Sequence, residues 1–362
     1  MSFDDLPEQA EAKRLLQAAL AEGAAHAYLL HGPPGTGKRR AALAFAGAVL
    51  GDAKRVEHGT HPDLYLLEPL GEMIRIDEIR ALRRDLHMRP FEASRRVYVI
   101  LSAHLLNEDA ADALLKDLEE PPPYALILLV ADELGPLPAT IRSRCQLVPF
   151  RRLSERAIRE FLAQRAPGLD ETQRTALARV AAGRLDRAER LLDPEAIGRR
   201  DELLRVARSP YVDDTFEPAE AAGALLEASR ASGAAARERA EAELERLELT
   251  ARESDQRLRR AQRGAEREEL LASLEELASW YRDLVVVAAG AETAVVHADR
   301  LDVLREDATR ERSADAEAAA EVVRDVWRSL EEFNLTPSLA LEALFVRLRR
   351  SFAAPLAAPA HP

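Results

Sequence analysis

The stretch LLHGPPGTGKRR, Leu29–Arg40, constrains this chain more than any other. Gly32, Gly35 and Gly37 let successive backbone N–H groups converge on one anion. A helix beginning at Lys38 would add its positive dipole end. The apolar run HAYLLHG precedes the loop and reads as a buried strand; the alanine-rich KRRAALAFAGAVLG follows as a helix. Strand, glycine loop and helix in that order are the context a phosphate-binding loop requires. Gly32, Pro33, Gly35, Thr36, Gly37 and Lys38 are therefore the candidate phosphate-contacting residues.

The pattern continues in kind. DLYLLEP, RRVYVILSA, ALILLVA and QLVPF read as further strands. IDEIRALRRDLHMRP and NEDAADALLKDLEEPP read as helices stopped by prolines. Strands that are apolar throughout and alternate with helices predict a parallel sheet covered on both faces. This α/β pattern ends near residue 152, and everything after it reads as helix. SERAIREFLAQRA opens with a serine cap, and SPYVDDTFEP, Ser209–Pro218, reads as a linker. Residues 234–278 are rich in Glu, Arg and Ala and predict a long, solvated helical hairpin. The final AAPLAAPAHP reads as a disordered tail.

The residue after Lys38 should carry a hydroxyl for magnesium. Arg39 stands there, and a guanidinium has no acceptor to offer. A phosphate-cleaving site of this type also needs carboxylates at the end of the third strand. That strand runs into Leu101, Ser102, Ala103 and His104, with no carboxylate at the first two positions. Glu108 and Asp109 follow in the next helix, where capping and solvation explain them. Losing both metal-holding groups removes much of the means of lowering the barrier, so no self-contained hydrolysis is expected. Composition narrows the rest. The formal net charge of −12 argues against wrapping nucleic acid over most of the surface. The lone Cys145 excludes an internal disulfide and a multi-cysteine zinc site. No apolar run approaches the roughly 20 residues of a membrane span, and the first residues lack a secretory pattern, so the expected location is cytoplasmic. Only four of the 51 basic residues are lysines, Lys38 among them.

HAYLLHGPPGTGK, THPDLYLLEP, IDEIRALRRDL, ADALLKDLEEPP and ATIRSRC occur in that order. With them the chain closely resembles the delta-prime subunits of the bacterial DNA polymerase III clamp loader, within the AAA+ superfamily. The likeness is strong to about residue 200 and weak beyond, resting there on WYRDL and NLTPSLALEALF. It implies an AAA+ RecA-like module with a degenerate ATP site over 1–152, a helical lid over 153–208 and an all-α collar over 209–352. The charged insert at about 234–278 interrupts the collar, and a disordered tail covers 353–362. It implies motor gamma/tau-type and delta-type subunits as partners in a pentameric ring, with the sliding clamp and primed DNA reached through that ring. It also implies that Arg144, in Ser143–Cys145, acts as an arginine finger in a neighbour's nucleotide site. A guanidinium can bridge the β- and γ-phosphates of ATP held by a partner and stabilise charge developing in transfer.

Three departures stand against the family pattern. GDAKRVEHGTHPDL contains no cysteine where many relatives carry a four-cysteine zinc module, and His58 and His61 alone cannot hold structural zinc. Ala131 stands where a polar sensor residue is usual, and Asp186, in GRLDRA, where an ATP-sensing arginine is usual. The expectation is a non-hydrolysing clamp-loader subunit that needs no cofactor and no zinc, with occupancy of Gly32–Lys38 by ATP or ADP left open. The alternatives are an active motor-type AAA+ ATPase that tolerates Arg39 and a DNA-binding regulator using the charged arm.

Overall fold

The computed structural model describes residues 3, 6–69, 73–192, 194–244, 251–332 and 336–353. Its chain falls into two compact units, residues 1–169 with 181–189, and residues 170–180 with 190–362.

The first unit alternates as the apolar runs dictate. In order it contains α1 (Ala10–Glu22), β1 (Ala27–His31), α2 (Lys38–Leu50), α3 (Ala53–Glu57), β2 (Leu64–Leu67), α4 (Ile76–Leu86) and β3 (Arg96–Ile100). There follow α5 (Glu108–Glu119), β4 (Ala125–Ala131), α6 (Ala139–Arg142), β5 (Gln146–Pro149) and α7 (Glu155–Arg165). The five strands form one parallel sheet in the order β2-β3-β4-β1-β5. This is the parallel sheet covered on both faces that the sequence predicts.

Side chains alternate across the strands, so each strand feeds two cores. Leu29, Tyr98, Ile100, Ile127 and Leu129 pack with Ile79 and Leu82 of α4 and Leu114 of α5. Tyr28, Leu30, Val97, Val99, Leu126 and Leu128 pack on the other face with Leu16 of α1 and Phe45 of α2. Each of these fully buried side chains stabilises the sheet by about 1.5–3 kcal/mol. Local capping sets the helix starts. Asn107 accepts from the Ala110 N–H to open α5, and Ser154 from the Ala157 N–H to open α7.

The topology decides what meets at the carboxyl edge of the sheet. Because β4 lies between β1 and β3, the residue following β4 stands between the glycine loop and the end of β3. Ligands of open parallel sheets bind at that edge.

Beyond β5 the described residues hold no further strand. Next come α8 (Glu171–Ala181) and α9 (Leu185–Arg190). Asp170 and Gln173 cap the start of α8 reciprocally, each side chain accepting from the other's backbone N–H at 2.8 and 2.9 Å. Then come α10 (Pro194–Val212), α11 (Pro218–Leu244), α12 (Ala251–Ala288), α13 (Leu301–Asp307), α14 (Arg310–Glu332) and α15 (Pro337–Phe352). Of the charged stretch 234–278, residues 234–244 lie on α11 and 251–278 on α12, and 245–250 fall outside the described residues; the two helices pack closely where Gly233 meets Gln262 and Glu266. The expected disordered tail lies, from residue 354 onward, outside the described residues.

One sequence expectation is corrected. The linker read at Ser209–Pro218 begins later, because α10 continues through Pro210 to Val212. Pro210 has no N–H for the Val206 carbonyl, and the Ser209 hydroxyl serves that oxygen instead at 2.8 Å. The aromatic pair of WYRDL is explained by packing. Trp280 and Tyr281 are fully buried; the Trp280 indole donates to Tyr211 and the Tyr281 hydroxyl to the Ala207 carbonyl, both at 2.9 Å. Among the described residues no helix is long and apolar enough to cross a membrane.

Candidate functional site: a phosphate loop and an arginine at the sheet edge

The loop Gly32–Gly37 leaves the end of β1 and delivers Lys38 as the first residue of α2, as the sequence predicts. Its backbone is held from several sides. A Cβ on Gly32 would collide with the Phe150 carbonyl, so the crossing of the β1 and β5 ends needs glycine there. Thr36 is fully buried and its hydroxyl donates to the Pro33 carbonyl at 2.9 Å. The Gln9 amide donates to the Arg151 carbonyl at 2.6 Å and accepts from the Arg151 N–H at 3.1 Å, while a longer bond reaches the Thr36 carbonyl.

Lys38 is turned into its own loop. Only 4% of its side chain is exposed, and its ammonium donates to the Gly32 and Pro33 carbonyls at 2.6 and 2.5 Å and pairs with Asp132 at 2.8 Å. Three partners use all three of its protons. Burial pulls its pKa below the usual lysine value, against the pull of Asp132.

Asp132 was not singled out in the sequence. It follows Ala131, the fully buried end of β4, and the strand order carries it to Lys38. Its backbone N–H donates to His104 Nδ1 at 3.1 Å. Burial, with the nearby Lys38 charge, lowers the His104 pKa, so the neutral imidazole is favoured. A carboxylate does stand at this edge, but it is spent on the lysine. The only textual signal for it was an acidic residue directly ending a seven-residue apolar strand.

Arg39 points elsewhere and pairs with Glu68, beyond β2, at 2.5 Å. Asp186 lies directly against the loop. A Cβ on Gly35 would collide with its Oδ1, and the Leu185 N–H donates to the Gly35 carbonyl at 2.7 Å. The lysine is engaged, the metal-binding hydroxyl is an arginine, and a carboxylate occupies the loop's approach.

Arg144 lies at the other end of the strand–helix network, just after α6 and before β5. Its backbone N–H closes the α6 turn on the Ile141 carbonyl at 3.1 Å. The guanidinium is 33% exposed; it donates to the Thr140 carbonyl at 2.9 Å and pairs with Glu119 at the end of α5. The structure thus does not bring Arg144 to the Gly32–Lys38 loop through any of these bonds. The proline-stopped Glu119–Glu120 turn gains a defined partner that the sequence did not reveal. Next to it Cys145 is buried, and burial raises its thiol to about 12, which removes it as a nucleophile at neutral pH. His58 and His61 are also used locally. His58 Nδ1 bonds the Lys54 carbonyl at 2.6 Å, and His61 Nδ1 accepts from the Asp63 N–H at 3.1 Å.

A family model described as "DNA polymerase III, delta subunit" matches residues 8–154, the span that carries both the loop and Arg144. Residues 8–154 are thus similar to DNA polymerase III clamp-loader subunits. DNA polymerase III subunit delta' of Bacillus subtilis (strain 168) is 36% identical over 151 residues, covering 38% of this chain and 46% of that protein. Subunit delta' of Pseudomonas aeruginosa is 38% identical over 136 residues, 33% of this chain and 42% of that protein. Subunit tau of Bacillus subtilis is 32% identical over 222 residues, 56% of this chain and 39% of that protein. The chain thus spans less than half the length of these curated clamp-loader relatives. Among solved structures, a DNA polymerase III gamma subunit-related protein from Thermotoga maritima aligns over 95% of this chain and 100% of its own. Its TM-score is 0.48 with 19% identity, too loose a likeness to argue from.

Proposed function

We propose that this chain is a non-hydrolysing subunit of a DNA polymerase III clamp loader, supporting the loading of a sliding clamp onto primed DNA. Its own phosphate loop serves as structure, and Arg144 is lent to the nucleotide site of an adjoining motor subunit. The observation that carries this reading is the engagement of Lys38: the one cation that would meet the outer phosphates is buried on its own loop and on Asp132. Arg39 and the carboxylate-free end of β3 support it.

In the proposed assembly Arg144 acts in trans. The neighbour would hold ATP, and the guanidinium would exchange its exposed Glu119 partner for phosphate oxygens, stabilising charge as the γ-phosphoryl group is transferred. An exposed ion pair contributes little, on the order of 1 kcal/mol or less, so releasing Arg144 costs little. The partners are gamma/tau-type and delta-type subunits in a five-membered ring, and no cofactor of the chain's own is required.

The second reading is a motor-type ATPase. It is favoured by the longer match to a tau subunit, 222 residues against 151 for the delta' relative from the same organism, and by Asp132 as a carboxylate at the sheet edge. ATP turnover by the purified chain with magnesium and primed DNA separates the two. The proposed function expects no turnover above background, and sustained turnover would support the motor.

A further inference from the structure

The carboxylate at the mouth of the loop has a consequence beyond the absence of hydrolysis. The turn leading into α9 lies on the glycine loop through two contacts on adjacent residues: the Leu185 N–H on the Gly35 carbonyl at 2.7 Å, and Asp186 Oδ1 against the Gly35 backbone. Arg184 grips the same carboxylate from behind, Nη2 to Oδ2 at 2.8 Å and Nε to Oδ1 at 3.3 Å, and the Arg187 N–H donates to Oδ1 at 2.8 Å. Arg40 on α2 pairs with Glu189 on α9, a second tie between the loop's helix and the lid turn. The Leu185 side chain, with Leu6, covers Gly37. Gly35 itself has φ +71°, so the loop keeps the backbone form that convergent N–H groups need.

We propose that Asp186 is the residue that excludes nucleotide phosphates from this loop, its carboxylate standing as a built-in anion where a diphosphate or triphosphate would approach. The charges around the loop are then balanced without a ligand. Lys38 is met by Asp132, and Arg184 by Asp186. A polyphosphate arriving at Gly35 would meet a fixed negative charge at contact distance. The glycine loop thus survives as a rigid seat for the lid turn. The inference rests on reading Gly32–Lys38 as a non-hydrolysing loop, yet it can fail alone: nucleotide binding by the unaltered chain would overturn it and leave the role of Arg144 standing.

The test is calorimetric titration of ADP, without metal, into the full-length chain and into Asp186→Ala and Asp186→Asn. Asn keeps the shape of the side chain and removes only the charge, so it carries the test if the alanine variant unfolds. The unaltered chain should show no saturable binding at millimolar ADP. Either variant, shown folded by circular dichroism, should bind at least about tenfold more tightly, as removal of one close like charge requires. Two results overturn the proposal: binding by the unaltered chain as tight as by the variants, or folded variants that gain none.

Discussion

Lys38 and Arg144 are both cations at the ends of strand-linked loops in one module, and their surroundings differ in kind. Lys38 is 4% exposed and meets three internal acceptors, whereas Arg144 is 33% exposed and is held by the Glu119 carboxylate, the Thr140 carbonyl and, at 3.4 Å, the Ser143 hydroxyl. A buried charge with every proton used is part of the frame. A guanidinium one-third exposed and paired with an exposed carboxylate can be reached from outside. The difference teaches that a glycine loop can close on its own lysine while a guanidinium far along the chain stays partly exposed.

The comparison predicts unequal results from equal-looking changes. Lys38→Ala strips donors from the Gly32 and Pro33 carbonyls and unpairs Asp132. It should lower the unfolding free energy by about 2–3 kcal/mol, the cost of a lost, partly buried charged network, measured by urea denaturation. ATP hydrolysis by the assembled complex should be unchanged by it; in a motor site the same change would abolish turnover, and that outcome would break the comparison.

Cys145 gives the next effect. Its thiol is raised to about 12 by burial, against roughly 8.5 in an unfolded chain. Between those values the native state binds the proton and the unfolded state does not, so this group's contribution is intact below about pH 8.5 and is lost as pH rises toward 12. At pH 10 the chain should have lost about 1–2 kcal/mol relative to its own value at pH 8, when compared with Cys145→Ala over the same range. Parallel pH profiles for the two proteins would show that the thiol is not buried beside Arg144. The smallest effect belongs to Glu119→Gln. Loss of an exposed pair should change stability by less than about 1 kcal/mol, seen in thermal melts, and a larger loss would mean that Arg144 too is structural.

Much of the module was legible in the sequence because its signals are local. Apolar strands, a glycine loop and Asn or Ser caps each announce themselves within a few residues. What was not legible depends on strand order. Nothing near Asp132 says that β4 lies beside β1, and only that adjacency brings its carboxylate to Lys38. Asp186 was legible as a changed residue, but its seat on Gly35 requires the folded lid turn. Glu119 reads as part of a proline-stopped helix end; its pairing with Arg144, 25 residues away, needs α5 and α6 packed together. The Pro210 misreading arose because the Ser209 hydroxyl, one residue before it, serves the carbonyl that the proline leaves open.

The most direct test places Arg144→Ala in a reconstituted clamp-loader complex and measures DNA-stimulated ATP hydrolysis, with assembly followed by gel filtration. The account predicts an intact complex whose turnover at the adjoining site falls on the order of 10³-fold, the usual worth of a trans arginine. An intact complex hydrolysing ATP at the unaltered rate would contradict it.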